Sequence, residues 1–290
     1  SDGHKGRPGA EGPGAGQFGI YGGLTCVLAE ALTRPSVFAA LRARRCYGTT
    51  GARVDLDFTV NGQPMGAAIQ AEGEVAVRAT VRGAAPIEAL ELYRGRDRLA
   101  RARPPAFDRC SDSRRVRLTW GGARIRGRGR RAVWDGVVEV AGARVTRVEP
   151  HAFDSPADGV DAWSHDQVTF RSRTTGDLDG LDLWLDQARR GRITLRTGLG
   201  ELAVDLEALT ADGHAREFGG LDLRARITRY PEAPRDLALS LAHTVALAPG
   251  EAAALYVKAI QSDGHMAWSS PIYVNGAAAS ASRDSGRLDG

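Results

Sequence analysis

From about residue 51 the chain alternates. Val54, Leu56, Phe58 and Val60 put apolar side chains on one face of an extended run, and the turn pair Asn61-Gly62 follows at once. The same period of two returns at 74–82, 87–93, 115–120, 132–140 and 143–148. Further strand-like runs cover 167–171, 192–196, 201–206, 221–227, 238–247, 253–260 and 267–274. A period of two aims successive side chains at opposite faces of a sheet and cannot give a helix one apolar stripe. Gly, Asp and Pro punctuate the runs at short spacing, as in antiparallel sandwiches. The expected fold is mainly β, with an antiparallel β-sandwich-like portion over 52–274. One segment inside it, 182–190, reads as a helix, with a strand through 181–185 as the alternative.

The first 51 residues differ. Residues 1–22 are rich in Gly and Pro, which predicts a loop. Over 22–45 the apolar positions recur at helical spacing, first Leu24, Val27, Leu28 and Leu32, then Val37, Phe38, Leu41 and the stem of Arg45. Two short helices broken near 33–35 are expected, with Thr33 or Ser36 capping the second and Pro35 in its first turn. Nothing in 1–51 buries a core alone. The tail, 275–290, has no apolar face and is expected to be disordered.

Composition narrows the functional classes. With 290 residues, 42% hydrophobic and 26% charged, the chain has room for roughly two domains. No run of about 18 apolar residues offers a membrane-spanning helix. The opening segment, SDGHKGRPGAEGPGAG, lacks the charged start and apolar stretch of a secretory leader. Methionine occurs only at Met65 and Met266, so the sequence, starting at Ser1, reads as a portion of a longer protein.

That opening carries one chemically suggestive pair. Asp2 and His4 stand two apart, so on an extended segment the carboxylate and the imidazole face one side, about 6–7 Å apart. Such a pair suits two ligands of a divalent cation. Asp-Gly-His recurs at 212–214 and 263–265, however, and Asp-Gly is a common turn. At least two of the three copies are therefore expected to be turns. A pair also falls short of the three protein ligands that catalytic zinc ordinarily takes.

Order along the chain adds to the motif. SDGHKGRPG, then FGIYGGLTCVLAEALTR, then ALRARRCYGTTGARVDLDF, then VNGQPMG resembles the polymerase-and-histidinol-phosphatase superfamily of metallohydrolases, in its large bacterial branch catalogued as a domain of unknown function. The resemblance runs through residues 1–66 and continues loosely in WDGVVEV, VEPHAFDSP, RSRTTGDLDG and YVKAIQSDGHMAWSSPIYV. It implies that residues 1–51 are the C-terminal remnant of a distorted (β/α) barrel whose metal site is closed by Asp2 and His4. The metals would be divalent ions such as zinc, manganese or iron, and the substrate a small ester or phosphoester. The remaining ligands and the barrel itself would be supplied by polypeptide outside this chain, which alone is expected to have little activity. Lys5 and Arg7 are the candidates for contacting an anionic substrate; the competing reading is solvated loop charge.

Other features have rival readings. Fourteen arginines fall between Arg94 and Arg131 against three aspartates, +11 over 38 residues. The alternation at 115–118 assigns most of this charge to a wet sheet face, since nucleic-acid binding would also want interleaved aromatics; no nucleic-acid or membrane partner is expected. A role for the arginines in gripping an acidic glycan, or in docking the barrel, stays open. Trp120, Trp134, Trp163, Trp184 and Trp268 could make a sugar-stacking platform or pack in cores. An alternative function is thus a non-catalytic module that binds glycan or polyanion. His165 and Asp166, near Asp161 and Asp154, could form a cation or acid/base site, or an ordinary polar loop. Cys26, Cys46 and Cys110 lack metal spacing and are expected to be reduced.

Overall fold

The computed structural model describes residues 22–276, and within them the protein is mainly β. Two hydrophobic cores organise the strands. The first joins an eight-stranded sheet to a four-stranded sheet; the second joins two five-stranded sheets.

The first unit takes its strands from both ends of the described chain. Its four-stranded sheet is ordered Ala238–Leu247, Gly73–Arg82, Asp55–Val60, Gln63–Pro64. The expected alternation holds here: Val54, Leu56, Phe58 and Val60 are all buried, and the last three stand opposite Val81, Ala79 and Val77 of the neighbouring strand. Asn61 and Gly62 both adopt positive φ, +50° and +75°, as a tight two-residue hairpin requires. In the eight-stranded sheet the strand Ala253–Gln261 pairs with Ile87–Arg94, Met266–Ser269 and Ile272–Asn275. The run expected at 267–274 is two strands, because Pro271 has no N–H to continue a ladder.

Residues 24–49 correct the expected pair of helices. Leu24–Val27 is a strand, paired antiparallel in full register with Cys46–Thr49, which in turn pairs with Met266–Ser269. The helical spacing of Leu24, Val27 and Leu28 loses to this pairing, since strand preference is set largely by neighbours. The second helix forms as expected at Arg34–Arg42, with Thr33 Oγ1 accepting from the Ser36 N–H at 3.4 Å and proline in the first turn.

The second unit is an insertion. The chain leaves the first at Ala102 and returns at Ala238. One inserted sheet is ordered Gly159–Trp163, Gln167–Arg171, Gly136–Ala141, Arg192–Thr197, Gly200–Asp205; the other Val145–His151, Leu178–Leu185, Arg115–Ala123, Leu221–Arg229, His214–Glu217. The helix expected at 182–190 is corrected to the strand alternative. Leu178–Leu185 lies between two partners, and both edges of its backbone are satisfied in ladders.

The units touch. Arg117 and Tyr230 of the insertion both reach Glu88 of the first unit at 3.4 Å. Gly264, at φ +90°, presses on Ala152 so closely that a Cβ there would sit 2.5 Å from the alanine Cβ.

Candidate functional site

The strand Leu178–Leu185 is buried on both faces and carries an aspartate on each. Residues directly opposite in an antiparallel pair share a face. Asp179 lies opposite Trp120, Leu181 opposite Leu118 and Leu183 opposite Val116, which is the core face. Asp182 lies opposite Arg117 and Trp184 opposite Arg115, on the face turned to the first unit.

On that outer face the charges are matched. Asp182 accepts from Arg117 Nε at 2.9 Å, and from Arg117 and Arg115 terminal nitrogens at 2.8 Å each. The two guanidiniums also lie over the Tyr230 ring, at 4.6 and 3.8 Å from its centroid. Burial raises the cost of the Asp182 charge, but the hydrogen bonds and charges of Arg117 and Arg115 outweigh it and hold the carboxyl at about 2. His151, on the same face, is pushed down to about 3 by burial and then by the charge of Arg117. The wet sheet face expected for Arg115 and Arg117 is therefore corrected: both are buried in a charge-matched contact between the units.

On the core face the charges are not matched. Carboxylate oxygens of Asp154, Asp177 and Asp179 lie within 4.8 Å of one another. Asp179 is only 1% exposed. Its Oδ2 accepts from Ser172 Oγ at 2.6 Å, and Ser172 Oγ accepts in turn from Trp120 Nε1 at 2.7 Å. Asp177 Oδ1 accepts from the Thr175 N–H at 2.5 Å. The other oxygens, Asp179 Oδ1 and Asp177 Oδ2, are buried with no hydrogen-bond donor among the described residues. Gly121 permits the close approach of this strand end, since a Cβ there would stand 2.4 Å from the Asp177 carbonyl oxygen. Stacked Trp120 and Phe170, 4.3 Å between centroids, with Phe153 edge-on to Trp120, make the surroundings apolar. Burial, then the neighbouring carboxylates of Asp177 and Asp158, push Asp154 up to about 7. Burial and the same acidic neighbours push Asp179 up to about 8 against the Ser172 hydrogen bond.

The residues singled out in the sequence are distributed differently. Asp2, His4, Lys5 and Arg7 lie outside the described residues. Of the later Asp-Gly-His copies, 263–265 lies in a turn as expected, while Asp212 and Gly213 bend into the strand His214–Glu217. Asp212 takes an ion pair from Arg103 at 2.9 Å, and Asp263 caps the His265 N–H at 3.0 Å. His165, Asp166 and Asp161 do not converge: His165 Nδ1 meets the Val145 carbonyl, Asp166 meets Ser164, and Asp161 pairs with Arg171. Asp154 alone of that group joins a cluster, with partners that the sequence reading did not choose. The signal was present, because Asp177 and Asp179 alternate at a strand start and so share a face. Moreover WDGVVEV, VEPHAFDSP and RSRTTGDLDG all reach this region, the first through Asp135, which accepts from the Ser172 N–H at 3.0 Å.

The tryptophans form no common platform. Trp120 and Trp134 are fully buried, and Trp184 lies under Arg115 and Arg147. All three cysteines are free. Arg124, Arg126, Arg128, Arg130 and Arg131 are exposed and form no ion pair with a described residue. Arg44 donates to the Gly66 carbonyl at 3.0 Å, joining the ALRARRCYGTTG and VNGQPMG segments in space.

Comparison with known proteins covers the amino-terminal part. A family described as a protein of unknown function, DUF3604, matches residues 14–86. An uncharacterized protein of Chlamydia pneumoniae is 33% identical over 78 residues, 25% of this chain and 13% of that protein. One from Chlamydia trachomatis is 36% identical over 81 residues, 26% of this chain and 13% of that protein. The chain thus spans about 13% of the length of these curated relatives. Among solved structures, BcpA, the major pilin subunit of Bacillus cereus, aligns over 78% of this chain and 66% of its own at 8% identity, with a TM-score of 0.14.

Proposed function

We propose that this chain is the C-terminal, β-rich part of a metal-dependent hydrolase of the polymerase-and-histidinol-phosphatase type. In this reading Asp2 and His4 contribute one corner of the metal site, and the β units are accessory. The metals, once bound, would activate water toward a phosphoester or other ester and stabilise charge in the transition state. The carboxylate of Asp2 and the imidazole of His4 would hold them, while Lys5 and Arg7 would orient an anionic substrate through charge-assisted hydrogen bonds.

The observation that carries this reading is an apolar surface beside the opening segment. Leu28, Leu32, Phe38 and Leu41 are all exposed, Leu32 by 99%, within 14 residues of one another. Phe38 and Leu41 are three apart and share a face of the helix Arg34–Arg42. Such concentration marks a surface that a partner covers, and the barrel expected from polypeptide outside this chain is the partner that fits. The match over residues 14–86 and the small share of the relatives' length support the same reading.

The test is a longer protein containing this chain. Metal content and hydrolysis of a simple phosphodiester and an acetate ester should both fall at least a hundredfold in Asp2→Ala and His4→Ala. Unchanged metal and activity in both variants would overturn the reading.

A second reading, polyanion binding, is favoured by the five exposed arginines at 124–131. Retention on a sulfated-polysaccharide column that falls steeply with salt and is lost on changing all five to Gln would support it; retention unaffected by those changes would remove it.

A further inference from the structure

We infer that Asp154, Asp177 and Asp179 form a binding site for one hard divalent cation, with Ca2+ the best fit, inside the inserted unit. The site is separate from the Asp2–His4 corner and does not rest on the hydrolase reading.

Three observations carry it. First, the donor set is carboxylate oxygen throughout, with no sulfur or imidazole, which suits Ca2+, Mg2+ or Mn2+ and not the usual zinc site. Second, the oxygens have the right span. Ligands within 4.8 Å of one another fit inside a sphere of metal–oxygen distances of about 2.3–2.6 Å, where opposite ligands stand about 5 Å apart. Ca2+ accepts an irregular set of carboxylate ligands, whereas Mg2+ demands near-ideal octahedral geometry at about 2.0–2.1 Å.

Third, an almost wholly buried carboxylate has an oxygen without a donor. Asp179 Oδ1 lacks any hydrogen-bond partner among the described residues, as does Asp177 Oδ2, although buried polar atoms are nearly always satisfied. The charges around them deepen the need. Asp158 and Asp135 add negative charge, and Arg173 bears on Asp158. A shared proton would satisfy one pair of oxygens; a dication satisfies all three residues at once. Its effect would be structural. Asp154 lies in the connection after Val145–His151, whereas Asp177 and Asp179 lie at the start of Leu178–Leu185. An ion here ties that connection, and Phe153 with it, to the Trp120 end of the core.

The experiment uses the 290-residue chain after chelation and dialysis. Calorimetric titration with CaCl2 should give one site per chain, tighter than for MgCl2, and saturating Ca2+ should raise the thermal midpoint by several degrees through mass action. Asp154→Asn and Asp177→Asn should each weaken binding at least tenfold and remove the thermal rise, while the exposed Asp161→Asn retains both. If the variants fold poorly, terbium luminescence of the unaltered chain, excited through tryptophan and displaced by Ca2+, reads the same site. No saturable binding at millimolar Ca2+ with no terbium signal, or binding unchanged in Asp154→Asn and Asp177→Asn, overturns the assignment.

Discussion

Asp182 and Asp179 sit three residues apart on one strand, about 10 Å along it, and meet opposite fates. Both are buried. Asp182 faces the first unit and finds two guanidiniums, so its charge is stabilised and its proton is held weakly. Asp179 faces the core and finds two further carboxylates, so its charge is opposed and its proton is held tightly. Burial amplifies whichever sign of neighbour is present. A matched buried cluster explains itself structurally, whereas an unmatched one calls for a ligand or for protons.

The largest effect comes from breaking the matched side. Asp182→Ala leaves Arg115 buried without a carboxylate and Arg117 with only Glu88 at 3.4 Å, and removing one partner of a buried pair costs about 3–5 kcal/mol. Urea unfolding should show a loss of that size. A loss under about 1 kcal/mol would mean that water replaces the carboxylate and that the contact between the units is open. The equivalent change on the unmatched side has the opposite sign. Without metal, Asp179 keeps its proton at pH 7 when folded but loses it on unfolding, so Asp179→Asn, which keeps an oxygen for Ser172, removes this bias toward the unfolded chain and should stabilise by on the order of 2 kcal/mol at pH 7. A destabilised Asp179→Asn would show that the cluster is not repulsive.

The two faces also respond oppositely to pH. Asp154 and Asp179 have folded values near 7 and 8, raised from the ordinary 3.8, so the folded state binds the extra protons. Their contribution is fully present below about pH 4 and is lost as pH rises through 7 and 8. His151 and Asp182 are lowered to about 3 and about 2. Their contribution is present at neutral pH and is lost on acidification, below about 6.5 for the histidine and 3.8 for the aspartate. In metal-free protein, stability between pH 6 and 8 should therefore fall by up to roughly 1 kcal/mol per pH unit, and the fall should flatten in Asp154→Asn/Asp179→Asn. An unchanged slope in the double variant contradicts the assignment. Saturating Ca2+ should flatten it as well.

Much of this fold was legible in the sequence because alternation is a local signal. The runs at 74–82, 167–171, 238–247 and 253–260 correspond closely to strands, and Asn61-Gly62 turns where its chemistry requires. Short edge elements were not legible. Leu24–Val27 and His214–Glu217 are strands because a partner lies beside them, which four residues do not announce. The insertion of one unit into another was hidden too, since alternation does not say which strands share a core. The site was legible only in part. Asp154 was noticed, but its partners come from a segment more than 20 residues away, brought in by sheet pairing. The arginine run misled because Arg115 and Arg117 alternate as wet-face residues do. What covers that face is Tyr230 and Glu88, from distant parts of the chain.

The smallest effect is expected where the sequence first suggested chemistry. Asp166 neighbours His165 in the inserted unit, but it is exposed and its Oδ1 meets only the nearby Ser164 hydroxyl. A carboxylate in water loses little when neutralised, so Asp166→Asn should change stability by no more than about 0.5 kcal/mol. It should also leave the fall between pH 6 and 8 intact, because Asp166 is not one of the three clustered carboxylates. Urea unfolding at pH 6 and pH 8 checks both expectations on one sample. A shift in the pH slope would mean that Asp166 senses the cluster at a distance, and the unmatched field would then extend beyond the core face. An unmoved slope confines that field to Asp154, Asp177 and Asp179, where the oxygens without donors are.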